Sequence, residues 1–247
     1  MEIILTLIAA ASIILLAYFI FGITGFGSSI VSVPLLVQLY PLQTVVPLIV
    51  VLDLCASFYQ GKKSFNQANF KELYWLAPFT FIGMAIGVTL LLDAPKSPLL
   101  ITLGIFAGLN GVRILVNRNS TIDKIIQQIW SIPFGIFGGI FTALFATGGP
   151  IYASYLAMRI HDAAKLRATM TVIIFSLVLL RLLLMIITGL LLKTEVAILA
   201  LFLIPFMAIG VWAGSKAHIG ISLNKLKVIY GLILILAGGG LLFREVF

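Results

Sequence analysis

The chain has 247 residues, of which 62% are hydrophobic and 10% charged, and its mean hydropathy is +1.20. An ordinary soluble domain has about 25% charged residues, so this composition excludes a soluble globular protein. The net charge of +8 comes from Lys and Arg scattered between apolar runs, which argues against nucleic acid as a partner. One crossing of the hydrocarbon core takes ~20 apolar residues, so we predict an all-α integral membrane protein with roughly eight hydrophobic segments.

Two of the apolar runs are too short to cross a membrane. In chain order the runs cover residues 3–21, 30–39, 44–60, 73–92, 98–116, 129–146, 151–158, 166–190, 196–213 and 226–243. The runs at 30–39 and 151–158 each cover only about half of the hydrocarbon thickness at ~1.5 Å per residue. Each follows a glycine-rich break, at residues 22–29 and 147–150. The pattern predicts a broken helix or a re-entrant hairpin at both places.

The chain also contains an internal repeat. The motif Pro-x4-Gly-x3-Gly at residues 78–87 recurs 127 residues further on, at residues 205–214, and predicts a kink with a small-residue contact face. The two glycine-rich breaks recur at a similar spacing. We therefore predict two transmembrane repeats, residues 1–118 and 119–247, that together form one transport domain, each opening with a broken helix or hairpin.

The distribution of basic residues favours one orientation of the repeats. If each short run completed a crossing, Lys and Arg would divide 8 to 7 between the two sides, and the repeats would be parallel. If each short run turns back, twelve of them share one side and three the other, namely Lys96, Lys193 and Arg244. An excess of basic residues marks cytoplasmic loops. We therefore predict inverted repeats, in a multi-pass protein of the cell membrane with both termini outside the cytoplasm.

Inverted repeats with broken helices near the midplane are typical of secondary transporters that work by alternating access. Unwound backbone at membrane depth must line a cavity, and a helix that restarts there presents free N–H groups and a positive dipole end. We predict an anion site between the breaks, although the glycines could instead serve helix packing alone. Its predicted substrate-binding residues are Gly25, Gly27, Ser28, Ser29, Thr147, Gly148, Gly149, Pro150 and Tyr152.

Two ionisable residues, Asp53 and Arg181, lie well inside apolar runs. Charges within a membrane are costly unless they are paired or hydrated, so their default interpretation is functional. We expect Arg181 to bind an anionic oxygen group of the substrate. Asp53 could hold Arg181 in the absence of substrate or carry a coupling proton; the alternatives are a structural ion pair or an Arg181 that reaches the outer interface.

The first break resembles a motif of a known family. Residues 25–36, GFGSSIVSVPLL, resemble the glycine-rich motif ending in Val-Pro-Leu-Leu that opens each half of the sulfite exporter TauE/SafE family, and Gly148-Gly149-Pro150-Ile151 resembles its second-half Gly-Gly-Pro signature. The resemblance implies a carrier that exports sulfite, thiosulfate or an organosulfonate. Ser28 and Ser29 stand where glycines are common in the family, which adds two hydroxyls to the site.

Other classes of function fit less well or stay open. A serine hydrolase would need a base at the depth of Ser28 or Ser29, whereas His161 and His218 lie in predicted loops, so we expect no enzyme. No cluster has metal-ligand spacing, so we expect no metal and no cofactor. A passive anion channel, or a transporter of another small organic or inorganic solute, stays open. The expected partners are a small anion, the lipid bilayer and a coupling ion, proton or sodium; the oligomeric state is open.

Overall fold

The computed structural model describes residues 2–24, 27–60, 68–116, 126–160, 162–217 and 223–246, and these residues form ten α-helices without a strand. The helices are α1 (Glu2–Thr24), α2 (Ser28–Leu36), α3 (Leu42–Gln60), α4 (Phe70–Asp93), α5 (Lys96–Val116), α6 (Ser131–Phe145), α7 (Gly149–Ala157), α8 (Ala163–Ile187), α9 (Thr194–Ala217) and α10 (Leu223–Val246). Within these ranges seven helices are long and apolar enough to cross a membrane, and α3 is a shorter apolar helix. The prediction of an all-α multi-pass membrane protein is confirmed.

The predicted breaks are the places where helices end. Between α1 and α2, Gly27 has a φ of 93°, a conformation that side-chain-bearing residues rarely adopt. Between α6 and α7, the chain leaves the helix at Ala146, whose φ is 60°. Pro150 follows in the first turn of α7, where the missing N–H costs nothing. Helices α2 and α7 have nine residues each, and Gly25 lies outside the described residues.

Helices α6 and α7 form a hairpin that begins and ends at the same end of the bundle. The N–H of Ile126, before α6, donates to the carbonyl of Met158, after α7, at 3.3 Å. Arg159 donates to the carbonyl of Ile126 at 2.9 Å. The hairpin therefore returns to where it entered, as the short run at 151–158 predicts.

The glycines of the repeated motif lie where two helices touch. A Cβ built on Gly87 of α4 would lie 2.7 Å from the carbonyl oxygen of Ile140 on α6. A Cβ on Gly210 of α9 would lie 2.7 Å from the carbonyl oxygen of Leu15 on α1. The residue numbers of the partners rise together along each pair, so α4 runs parallel to α6 and α1 runs parallel to α9. The predicted small-residue contact face is confirmed, because only glycine allows such close backbone approach.

Helices α5 and α10 pack against each other in the opposite sense. A Cβ on Gly104 would lie 3.0 Å from the carbonyl oxygen of Gly238, and one on Gly111 would lie 2.7 Å from that of Gly231. One residue number rises as the other falls, so the two helices are antiparallel. Gly231 and Gly238 occupy the positions of the second half that correspond to Gly104 and Gly111. Each glycine thus meets the counterpart of the other, as across a local two-fold axis perpendicular to the helices.

Candidate functional site

Both helix breaks line one cavity of about 50 Å³. A single water molecule needs ~10–15 Å³, so the cavity has room for a small polar solute of a few heavy atoms. Eight of the residues predicted from the sequence line it: Gly27, Ser28, Ser29, Asp53, Thr147, Gly149, Pro150 and Arg181. The fold therefore brings together one break from each half and both intramembrane charges.

Arg181 supplies the positive charge of this cavity. Its side chain extends from α8 and is 2% exposed, and its Nε and Nη2 atoms have no hydrogen-bond partner among the described residues. Within the same part of the chain no ion pair joins Arg181 to Asp53. A buried guanidinium without partners has lost its hydration without compensation. The oxygen atoms of an anion in the cavity would provide that compensation.

Asp53 on α3 is satisfied by hydroxyl groups instead. Its Oδ1 accepts hydrogen bonds from the Tyr18 hydroxyl at 2.7 Å and from Ser28 Oγ at 2.8 Å. Its Oδ2 accepts one from Ser29 Oγ at 2.8 Å. Tyr18 lies on α1 and the two serines begin α2, so the carboxylate ties three helices together at the first break. We did not single out Tyr18 in the sequence, although a tyrosine within an apolar run needs a partner for its hydroxyl.

The N-terminus of α7 offers fewer donors than a regular helix start. Pro150 has no N–H, and the N–H groups of Ile151 and Tyr152 both donate to the carbonyl of Gly148, at 3.0 and 3.2 Å. Of the first four residues of α7, Gly149 therefore keeps its N–H for a ligand. A Cβ built on Gly149 would meet nothing within 4 Å, so this residue borders open space. The hydroxyl of Thr147, 1% exposed, is a second donor without a partner among the described residues.

Gly148 and Tyr152 lie behind the tip of the second hairpin, outside the cavity lining. A Cβ on Gly148 would lie 2.6 Å from the carbonyl oxygen of Gly138 on α6. The Tyr152 hydroxyl donates to Thr80 Oγ1 of α4 at 3.2 Å. The two residues that we predicted to contact substrate therefore pack α7 against α6 and α4.

The cavity also has walls that the sequence analysis did not identify. Ser57 lies one helical turn beyond Asp53, a spacing that could have pointed to it. Thr142 donates to the carbonyl of Gly138 at 2.6 Å, so its hydroxyl proton is already used. The remaining lining residues are apolar: Phe21, Ile30, Ala146, Ile174, Leu177 and Val178. Polar groups are thus concentrated at the two helix breaks and at the intramembrane charges.

A second polar cluster fixes the end of the α6–α7 hairpin. Arg159 donates to Oε1 of Glu72 from Nη2 at 2.7 Å and from Nε at 3.1 Å, and the Tyr155 hydroxyl donates to Oε2 at 2.7 Å. The hydrogen bonds to Glu72 raise the pKa of Arg159. In contrast to Arg181, this arginine is fully partnered, and its role is to hold α7 against α4.

Broken helices that meet at a cavity with a buried arginine define a membrane transporter by their construction. Residues 10–241 match the family described as Sulfite exporter TauE/SafE, and the chain belongs to this family. A part of 126 residues, 51% of the chain, is 27% identical to the "Probable inner membrane transporter protein TsaS" of Comamonas testosteroni. The match spans 52% of that relative, about half of its length. No solved structure matches the chain.

Proposed function

We propose that this protein is a secondary transporter that exports a small sulfur-containing anion by alternating access. The candidate anions are sulfite, thiosulfate and an organosulfonate. The observation that carries the anion is Arg181, a buried guanidinium with unpartnered nitrogen atoms in the wall of a small cavity. The sulfur chemistry is supported by membership of the sulfite exporter family.

The cavity offers three donors from the second half of the chain, the Arg181 guanidinium, the Thr147 hydroxyl and the Gly149 N–H. Oxygen atoms of a bound anion would accept from these groups. A hydrogen bond to a charged group contributes ~1.5–3 kcal/mol, so the two free nitrogens of Arg181 can supply much of the affinity. No metal is needed for binding of this kind.

The helix pairing supports an inverted relation between the halves. The antiparallel contact of α5 with α10 is what a two-fold axis in the membrane plane would produce, and exchange of the halves turns the α4–α6 pair into the α9–α1 pair. Both halves contribute one helix break to the cavity. Rocking of one half against the other would then expose the cavity to each side in turn. With the basic loops in the cytoplasm, both termini lie outside.

Proteoliposomes that contain the purified protein test this proposal. We expect saturable uptake of radiolabelled thiosulfate that is accelerated by unlabelled thiosulfate on the opposite side. Arg181→Ala should abolish this flux because it removes the cationic group. Gly149→Leu should abolish it because the side chain would fill the cavity, whereas Gly239→Leu, at an exposed position with open space around it, should transport normally.

Two outcomes would contradict the proposal in different ways. Full transport by both Arg181→Ala and Gly149→Leu would refute the site. A flux that neither saturates nor responds to anion on the opposite side would refute alternating access and support a passive channel.

A further inference from the structure

The hydroxyl groups at the first break have already committed their protons. A carboxylate only accepts hydrogen bonds, so Tyr18, Ser28 and Ser29 are the donors in their bonds to Asp53. Each hydroxyl has a single proton, and what remains on its oxygen is acceptor capacity. Ser28 and Ser29 line the cavity. Their side chains can therefore accept a hydrogen bond from a ligand but cannot donate one.

The charge of Asp53 reinforces this character. Its carboxylate is bound to both serines of the first turn of α2, where it offsets the positive end of the helix dipole. The start of α2 is therefore a poor place for the oxygen atoms of an anion. The sequence predicts two equivalent anion-binding helix ends, whereas the structure has a carboxylate at one of them.

The cavity consequently has two unlike walls. The donor wall consists of Arg181, Thr147 and Gly149, and the acceptor wall consists of Ser28 and Ser29 backed by Asp53. A ligand that matches both walls needs anionic oxygens at one end and a hydrogen-bond donor at the other. An anion with acceptors alone would direct lone pairs against lone pairs at the acceptor wall.

We propose that the cavity selects monovalent anions that carry an O–H or N–H group over anions that carry acceptors only. This inference rests on the proposed anion transport. The anionic oxygens bind to Arg181, and the donor group of the ligand binds to the free lone pairs of Ser28 and Ser29. Sites built to pair with a polar group reject an analogue that lacks it by large factors, up to ~10⁴–10⁵.

Two sulfonates of equal charge and equal number of non-hydrogen atoms test the selection, hydroxyethanesulfonate and propanesulfonate. They differ in a terminal hydroxyl against a terminal methyl group. In titration calorimetry on the purified protein we expect hydroxyethanesulfonate to bind at least ~10-fold more tightly. Equal affinities, or a preference for propanesulfonate, would overturn the inference and leave anion transport intact. Failure of both ligands and of methanesulfonate to bind would refute the anion site itself, and the inference with it.

Asp53→Asn tests the cause of the selection. The amide group can donate to a serine oxygen, which frees a hydroxyl proton to point into the cavity. Loss of the negative charge strengthens the binding of both ligands alike, so it cancels in the ratio of their affinities. We expect this ratio to fall towards one. An unchanged ratio would overturn the inference.

Ser32→Ala is the matched control for this variant. Ser32 is a buried serine of the same helix whose Oγ has no partner among the described residues, and it is not part of the cavity lining. We expect it to keep the wild-type ratio. The comparison of the two ligands on the wild-type protein decides the inference even if a variant fails to fold.

Discussion

Replacement of Arg181 by methionine should change anion affinity and stability in opposite directions. The guanidinium is 2% exposed and has two nitrogen atoms without partners, Nε and Nη2. If both donate to the anion, at ~1.5–3 kcal/mol each, Arg181→Met loses about 3–6 kcal/mol of binding free energy. Since 1.4 kcal/mol corresponds to a factor of ten, the Kd for thiosulfate should rise by about 10²- to 10⁴-fold.

The ligand-free protein should not be harmed by the same change. Methionine is unbranched and apolar, and it removes a buried charge that nothing in the described part of the chain compensates. Replacing buried charges by apolar side chains of similar size is often neutral or stabilising by ~1–4 kcal/mol. We therefore expect the unfolding temperature of ligand-free Arg181→Met, measured in detergent by intrinsic fluorescence, to equal or exceed that of the wild type.

Arg159→Met is the matched control, because it removes an arginine that is fully partnered. It leaves Glu72, 3% exposed, as an uncompensated buried carboxylate. Breaking such a pair costs ~3–5 kcal/mol, so the unfolding temperature should fall while the folded protein keeps its affinity for thiosulfate. The reasoning is refuted if Arg181→Met lowers the ligand-free unfolding temperature as much as Arg159→Met does, or if it leaves the Kd unchanged.

Two pairs of glycine variants test the packing. Gly148→Ala should lower the unfolding temperature, because its Cβ would meet the backbone of α6, whereas Gly149→Ala should leave it unchanged and weaken anion binding by narrowing the cavity. Equal unfolding temperatures of the two would contradict this assignment. Gly83→Ala should destabilise the protein by ~1–3 kcal/mol of overpacking against α6, while Gly108→Ala, with open space around its Cβ, should be neutral in thermal unfolding. A neutral Gly83→Ala would show that α4 and α6 can separate freely.

The sequence by itself determined the class of the protein and the centre of its site. Lipid tolerates neither free backbone polar groups nor stray charges, so each glycine-rich break and each intramembrane charge must serve a purpose that is visible in the residue pattern. For this reason the breaks, Asp53 and Arg181 could be identified before the fold was known, and all of them line one cavity. The motifs also identified the family correctly.

Only the tertiary structure decided which of these groups are partners. Tyr18 and Asp53 are 35 residues apart in the chain, and their hydrogen bond depends on how α1 and α3 are rotated about their axes. The same rotations turn Gly148 and Tyr152 away from the cavity and leave Arg181 without a carboxylate partner. Such rotations are fixed by packing between distant helices, most of all by glycine contacts in which backbones touch. A local sequence pattern contains no information about the partner helix, so these contacts could not be predicted from it.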